Sequence, residues 1–130
     1  MPRLISVKTG SRTEMVDITA PVQKELAKAG VNDGLCIVYI PHTTAGVTIN
    51  EGADPAVCYD IVKKLNDLVP CDKGFRHLEG NSDSHIKTLI TGSSVSVIVE
   101  DGLLVLGTWQ RIFLCEFDGP RTRSVFVKFI

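Results

Sequence analysis

The residues best suited to chemistry sit in two polar stretches. Residues 41–50 read Pro-His-Thr-Thr-Ala-Gly-Val-Thr-Ile-Asn and are followed by Glu51; residues 75–85 hold the other two of the chain's three histidines, His77 and His85, with Asn81 between them. Histidines with Asp and Glu nearby suit a divalent metal, because neutral imidazole is the commonest metal ligand and three protein ligands leave a position open for water or substrate. Zn²⁺ or another transition metal is favoured over Mg²⁺, which prefers oxygen ligands. His42, His77 and His85 are the candidate ligands, and the chemistry would be that of a Lewis acid or a metal-bound hydroxide. His85, at the start of a predicted helix, faces the positive end of the macrodipole, which favours the neutral ring a metal needs. The spacings, thirty-five residues from 42 to 77 and eight from 77 to 85, match no compact metal motif. The three rings therefore serve equally well as acids and bases, or as partners of loop backbone, with no metal at all.

A phosphate is the second ligand these residues could take. The hydroxyls of Thr43, Thr44 and Thr48, the N-terminus of the helix after Asp83, and Lys87 together offer donors and positive charge. No Walker loop or dinucleotide fingerprint supports them. Ser93-Ser94 has the same look, but also reads as a plain turn entering a strand. No G-x-S-x-G elbow marks a nucleophile, and Cys115, inside an apolar strand, reads as packing. In the predicted strand 109–117, Gln110 and Glu116 share a face with Ile112 and Leu114. A carboxylate there is costly to bury unless paired, so both residues are candidates to point into a polar cavity; the alternative is a solvated strand end.

Strands and helices must hold these groups. Residues 3–8 and 13–18 alternate as strands around Thr9-Gly10-Ser11-Arg12, which predicts an N-terminal hairpin. Thr19 as cap, Pro21 in the first turn, Val22 and Leu26 on one face and Gly30 as stop predict a helix. Strand 35–40 is apolar at almost every position, which asks for cover on both faces. Asp54 and Pro55 open a second helix whose stripe is Val57, Ile61, Leu65 and Leu68. Asp83 as cap, an Ile86, Leu89, Ile90 face and Gly92 as stop predict a third. Strands 94–99, 103–106, 109–117 and 123–130 follow as an antiparallel meander, and the apolar C-terminal strand is expected to be covered, by another subunit if not by its own.

Composition narrows the class. A chain of 130 residues fits a single α+β domain spanning 1–130, with a core that needs no disulfide. With 14 Lys+Arg against 15 Asp+Glu and 6% aromatic residues, a nucleic-acid partner is not expected. No signal peptide or membrane-length apolar run is visible, so no membrane partner is expected and the cytoplasm is the expected compartment. Cys36, Cys58, Cys71 and Cys115 are scattered without metal-site spacing and read as reduced thiols, with Cys71 in an exposed loop.

The motifs together carry a resemblance. His42-Thr43-Thr44-Ala45, Thr48-Ile49-Asn50-Glu51, Asp54-Pro55, His77 through Glu79-Gly80-Asn81 to His85-Ile86-Lys87, Gly92-Ser93-Ser94, Asp101-Gly102, Leu106-Gly107-Thr108-Trp109-Gln110 and Glu116-Phe117-Asp118-Gly119-Pro120-Arg121 resemble, in order, the blocks of the YjbQ family. That resemblance implies antiparallel sheets packed around a threefold axis in a homotrimer. It also implies a pocket gathering His42, His77 and His85, with Asn50, Glu51, Asn81 and Gln110 near it, and a secondary thiamine-phosphate synthase activity. The reading that follows is a metal-dependent enzyme acting on a small phosphorylated metabolite. The alternatives are a metal-assisted phosphate-ester hydrolase and a non-catalytic trimer that binds a metal or anion. Segment 75–85, poorly packed by its own residues, is expected near a subunit boundary.

Overall fold

The computed structural model describes residues 2–71 and 74–130. In chain order the elements are β1 (Arg3–Lys8), β2 (Glu14–Asp17), α1 (Thr19–Ala29), β3 (Gly34–Tyr39), β4 (Ala45–Glu51), α2 (Pro55–Leu68), α3 (Ser82–Thr91), β5 (Ser94–Glu100), β6 (Leu103–Leu104), β7 (Gln110–Glu116) and β8 (Thr122–Phe129). The strands form a five-stranded sheet in the order β1-β8-β3-β5-β6 and a three-stranded sheet in the order β2-β7-β4, with every pairing antiparallel. The α+β class is as expected.

Alternation explains why the sheets face each other. Val7, Cys36, Val38, Val97, Val125 and Val127 point from the larger sheet, and Ala45, Val47, Ile112 and Leu114 from the smaller, into one apolar cluster that Val22 and Leu26 of α1 close. Each valine, leucine and isoleucine among them contributes about 1.5–3 kcal/mol of transfer free energy when fully buried. Cys36 lies within this cluster, and burial pushes its thiol up to about 11. Among the described residues no helix is long and apolar enough to cross a membrane.

Several expectations change. The N-terminal hairpin does not form: β1 pairs with β8 and β2 with β7, so residues 9–12 carry the chain from one sheet to the other. The meander breaks at the same kind of crossing. β5 and β6 pair, but Gly107-Thr108 leads β7 into the smaller sheet, and β8 then returns to lie between β1 and β3. The C-terminal strand is thus covered on both edges within the subunit. Residues 45–51 are a strand that the polar motif hides, with Ala45 and Val47 buried in the core and Thr48 and Asn50 on the other face. β3 is central, yet its outer face is bare, with Leu35 and Tyr39 42% and 48% exposed.

The helices also differ from the pattern. α1 is capped at Ile18, while Thr19 Oγ1 accepts from the Ile112 N–H at 2.8 Å; Gly30 ends it in the left-handed conformation at φ 67°. Asp54 caps α2 as expected, accepting from Ala56 N–H with Pro55 next, but no residue of α2 is buried and Leu68 is 62% exposed. α3 starts after Asn81, not at Asp83, and it buries its polar stripe: Asp83, Ser84, Lys87 and Thr88 lie inside, while Leu89 and Ile90 face out. The i, i+4 spacing that pairs Asp83 with Lys87 at 3.1 Å makes that burial tolerable.

Gly46 fixes how closely α3 approaches β4. A Cβ there would stand 2.3 Å from Thr91 Oγ1 and 2.5 Å from the Gly92 carbonyl oxygen. Gly46→Ala is therefore expected to destabilise the fold by about 1–3 kcal/mol through overpacking. Urea denaturation should give a lower midpoint at unchanged slope, and an unchanged midpoint would mean that α3 moves freely on the sheet.

Candidate functional site

A cavity of about 680 Å³ opens where three connections meet. The β3–β4 connection brings Pro41, His42, Thr43 and Thr44. The start of α3 brings Asn81 and His85, the turn from β7 into β8 brings Asp118, Arg121 and Arg123, and Glu79 and Ser93 complete the polar wall. An adjoining hollow of about 420 Å³ shares His42, Thr43, His85 and Ser93 with it.

Beneath the cavity lies a buried ion pair. Glu116 on β7 is 0% exposed and Arg123 on β8 is 2% exposed. Arg123 Nε donates to both carboxylate oxygens, at 2.9 and 3.1 Å, and Nη2 donates to Glu116 Oε2 and, at 2.8 Å, to Thr44 Oγ1. Glu116 also accepts from the Thr9 hydroxyl at 2.8 Å and from the N–H groups of Phe117 and Asp118 at 3.0 and 3.1 Å. Burial pushes its carboxyl up, but the hydrogen bonds from Arg123, the Asp118 N–H and Thr9, with the charge of Arg123, outweigh it and hold the group below the usual glutamate range. Gly119 permits the packing, since a Cβ there would fall 2.4 Å from the Ser11 carbonyl oxygen and 2.8 Å from Glu116 Cγ. Arg123 Nη1 has no hydrogen-bond partner among the described residues, and Arg123 lines the cavity.

His42 is oriented by the same strand. Its Nε2 accepts the Ser124 N–H at 2.9 Å, so the neutral ring carries its proton on Nδ1. Burial lowers its pKa, and the positive charges of Arg123 and Arg121 lower it further against the opposing field of Glu116. His42 is thus an uncharged N–H donor at neutral pH. His85 lines the same cavity, and its ring meets His77 edge to face with centroids 5.5 Å apart. His77 lines a separate small hollow with Gly74, Phe75, Gly80 and Ser82, and stands 3.9 Å from Glu79.

The expected site residues thus divide. His42, Thr43, Thr44, Asn81 and His85 share the cavity, Ser93 joins them, His77 touches His85, and Glu116 lies under the floor, paired and buried and not at a solvated strand end. Lys87 does not reach the cavity: it is 1% exposed, with Nζ donating to Asn66 Oδ1 at 2.7 Å and to Asp83 Oδ2 at 3.1 Å. Asp83 also receives both Nη groups of Arg12, at 3.1 Å each. Asn50, Glu51 and Gln110 are at the other end of the smaller sheet. The β4–β7 ladder runs from Ala45 opposite Glu116 to Glu51 opposite Gln110, six residues or roughly 20 Å away. There Glu51 accepts the Ala53 N–H and Gln110 accepts the Gly107 N–H.

The three histidines do not form a metal triad in one subunit. No group of three His, Cys, Asp or Glu side chains able to hold an ion is found among the described residues, and His42 Nε2 is already engaged by Ser124. Cys36 and Cys115 are buried thiols, Cys115 pushed up to about 12 by burial, while Cys71 is exposed and receives an Arg12 N–H at 3.7 Å. Sequence reasoning missed Asp118, Arg121 and Arg123. For Arg123 a signal existed, since it shares strand parity with Val125 and Val127 and so must point inward with them.

Comparison with known proteins agrees over nearly the whole chain. The family model described as UPF0047 protein YjbQ-like matches residues 3–130. UPF0047 protein MJ1081 of Methanocaldococcus jannaschii is 52% identical over 124 residues, covering 95% of this chain and 90% of that protein. UPF0047 protein YugU of Bacillus subtilis is 47% identical over 129 residues, covering 98% of each. Among solved structures, a conserved YjbQ/UPF0047 protein of Clostridium acetobutylicum superposes with a TM-score of 0.96 at 50% identity, covering 98% of this chain and 99% of that one. Protein APE1520 of Aeropyrum pernix K1 superposes at 0.95 with 38% identity, covering 100% and 98%.

Removing one partner of the ion pair leaves the other charge buried, so Glu116→Ala is expected to cost about 3–5 kcal/mol. Because the folded-state pKa of Glu116 is depressed, its contribution is complete above the ordinary glutamate range and is lost as pH falls through the folded value. Chemical denaturation across the acid limb should show a shallower loss of stability for Glu116→Gln than for the parent. Asp83, also held low although burial opposes it, supplies the remaining slope. Parallel acid limbs would sink the assignment.

Proposed function

Since the chain belongs to the family described as UPF0047 protein YjbQ-like, we propose that its cavity binds a small phosphorylated metabolite and acts on it by proton transfer. The observation that carries this is Arg123: it lines the cavity, its Nε and Nη2 are fixed by Glu116 and Thr44, and its Nη1 has no partner among the described residues. A guanidinium held in this way is pre-organised to receive an anionic oxygen. Arg121 stands beside it, anchored to Asp118 by Nε and Nη2, and Thr43, Ser93 and the Nδ1–H of His42 supply neutral donors. His85 is the proton-transfer group in this reading, since His42 has its basic nitrogen occupied.

The thiamine-phosphate synthase activity implied by the family resemblance is one form of the proposal, and phosphate-ester hydrolysis is the other. Both need the same phosphate contacts. The divalent metal expected from the histidine count finds no group of three such donors in one subunit among the described residues. The bare outer face of the larger sheet, where Leu4 and Ile98 are 55% and 60% exposed, supports the proposed homotrimer, because an apolar face of this kind is unusual on a monomer. The reducing cytoplasm is the proposed setting.

Turnover should be assayed with the pyrimidine diphosphate and thiazole phosphate precursors of thiamine phosphate, and with a panel of phosphate monoesters, each with added Zn²⁺ and with chelator. Inorganic phosphate is expected to inhibit competitively and to raise the thermal midpoint. Arg121→Ala should weaken phosphate by about tenfold, and His85→Ala should lower kcat by about a hundredfold or more. Phosphate that neither inhibits nor stabilises would overturn the reading. Elemental analysis of the parent and of the His42→Ala, His77→Ala and His85→Ala variants tests the metal separately, and equilibrium sedimentation tests the trimer.

A further inference from the structure

Resting on the phosphate reading, we infer that the metabolite also carries a nitrogen donor, an amine or an amino-substituted heterocycle, which Asp118, held in place by Asn81, recognises at the β7–β8 end of the cavity. Asp118 Oδ2 is already used, accepting from Asn81 Nδ2 at 2.9 Å and from Arg121 Nη2 at 3.1 Å. Its Oδ1 receives no hydrogen bond among the described residues, although the residue lines the cavity. The two bonds on Oδ2 fix the carboxylate and leave Oδ1 as a positioned acceptor.

Asn81 supplies an independent sign. It stands at the cap of α3, where an asparagine ordinarily accepts a backbone N–H of the first turn; here it makes no side-chain capping bond. Its Nδ2 is drawn to Asp118 instead, and its Oδ1 is buried with no hydrogen-bond partner among the described residues. A buried acceptor left unmatched costs stability, and such groups are rare enough in folded proteins to call for a functional reason.

The cavity therefore holds both kinds of unmet demand. Arg123 offers an unpartnered donor, while Asp118 offers an unpartnered acceptor oxygen, held by an Asn81 whose own buried acceptor is unmatched beside it, and the carboxylate of Glu79 adds negative charge at the wall. A ligand that is only an anion satisfies the arginine and is repelled by the two carboxylates. One with phosphate at one end and an N–H or ammonium group at the other satisfies all of them. A volume of about 680 Å³ lies within the range that small-molecule sites use and exceeds what a lone phosphate fills.

Calorimetric titration with ω-aminoalkyl phosphates of two, three and four carbons, each against the alkyl phosphate of equal length, isolates the nitrogen from the phosphate. At one length at least, the amino ester should bind on the order of tenfold more tightly than its alkyl counterpart. In Asp118→Asn, which also loosens the anchor of Arg121, the readout is that ratio and not the absolute affinity, and the ratio should fall toward one. Glu79→Gln, at a largely exposed side chain, should lower the ratio partly without touching the fold. If alkyl and inorganic phosphate bind but the ratio stays at or below one at every length, the nitrogen donor is refuted and the phosphate pocket stands. If no phosphate binds, both readings fall together. The parent protein's ratio decides even if Asp118→Asn does not fold.

Discussion

The buried pair of Glu116 and Arg123 is the constraint around which the functional end of the molecule is arranged. Taking both charges out of water costs several kcal/mol each, and the cost is offset only when geometry is good and the remaining lone pairs are filled. Here the filling comes from every direction: Thr9 after β1, Thr44 before β4, and the N–H groups of Phe117 and Asp118. Glu116 belongs to the three-stranded sheet and Arg123 to the five-stranded one, so the pair ties the two sheets at the end where their apolar contact stops. The loops that carry His42 and Asp118 are fixed because satisfying the pair fixes them.

A second polar cluster works on α3 in the same way. Asp83 takes the guanidinium of Arg12 and the ammonium of Lys87, Lys87 reaches on to Asn66 of α2, and the Ser84 hydroxyl donates to the Phe117 carbonyl. The helix is therefore docked by matched charges and hydroxyls, not by an apolar stripe. This sets its rotation about its own axis, and that rotation turns His85 toward His42. Apolar docking on Ile86, Leu89 and Ile90 would have turned the histidine elsewhere.

These polar dockings explain what could be read from the sequence. α1, α2 and the interior strands follow periodicity, caps and glycine stops, all local signals, and they were legible with small shifts at their ends. The sheet partners were not, because Thr9-Gly10-Ser11-Arg12 looks the same whether it closes a hairpin or crosses between sheets. β4 was hidden by its own chemistry: attention to Thr48 and Asn50 obscured the Ala45, Val47, Ile49 alternation beneath. His42, Thr43, Thr44, Asn81 and His85, picked out by type, do share the cavity. Arg123 was missed although its parity with Val125 and Val127 points it inward, since an arginine in a strand draws notice only when that parity is matched with that of Glu116. The rotation of α3 could not be foreseen, because it depends on Arg12, seventy-one residues from Asp83.

The far end of the smaller sheet sets a different limit on any account of function. Asn50, Glu51 and Gln110 belong with the histidines by resemblance, yet a β-ladder is stiff, and roughly 20 Å of it separates them from the cavity. No rotamer or loop shift within one subunit closes that distance. Either these residues serve the fold, as the bonds from Glu51 to Ala53 and from Gln110 to Gly107 already indicate, or they act on a ligand held by a second copy of the chain. The second case requires the ends of β4 and β7 in one subunit to meet the mouth of the cavity in another. A closed symmetric assembly would meet that demand with one repeated contact, so assembly and chemistry would depend on the same surface.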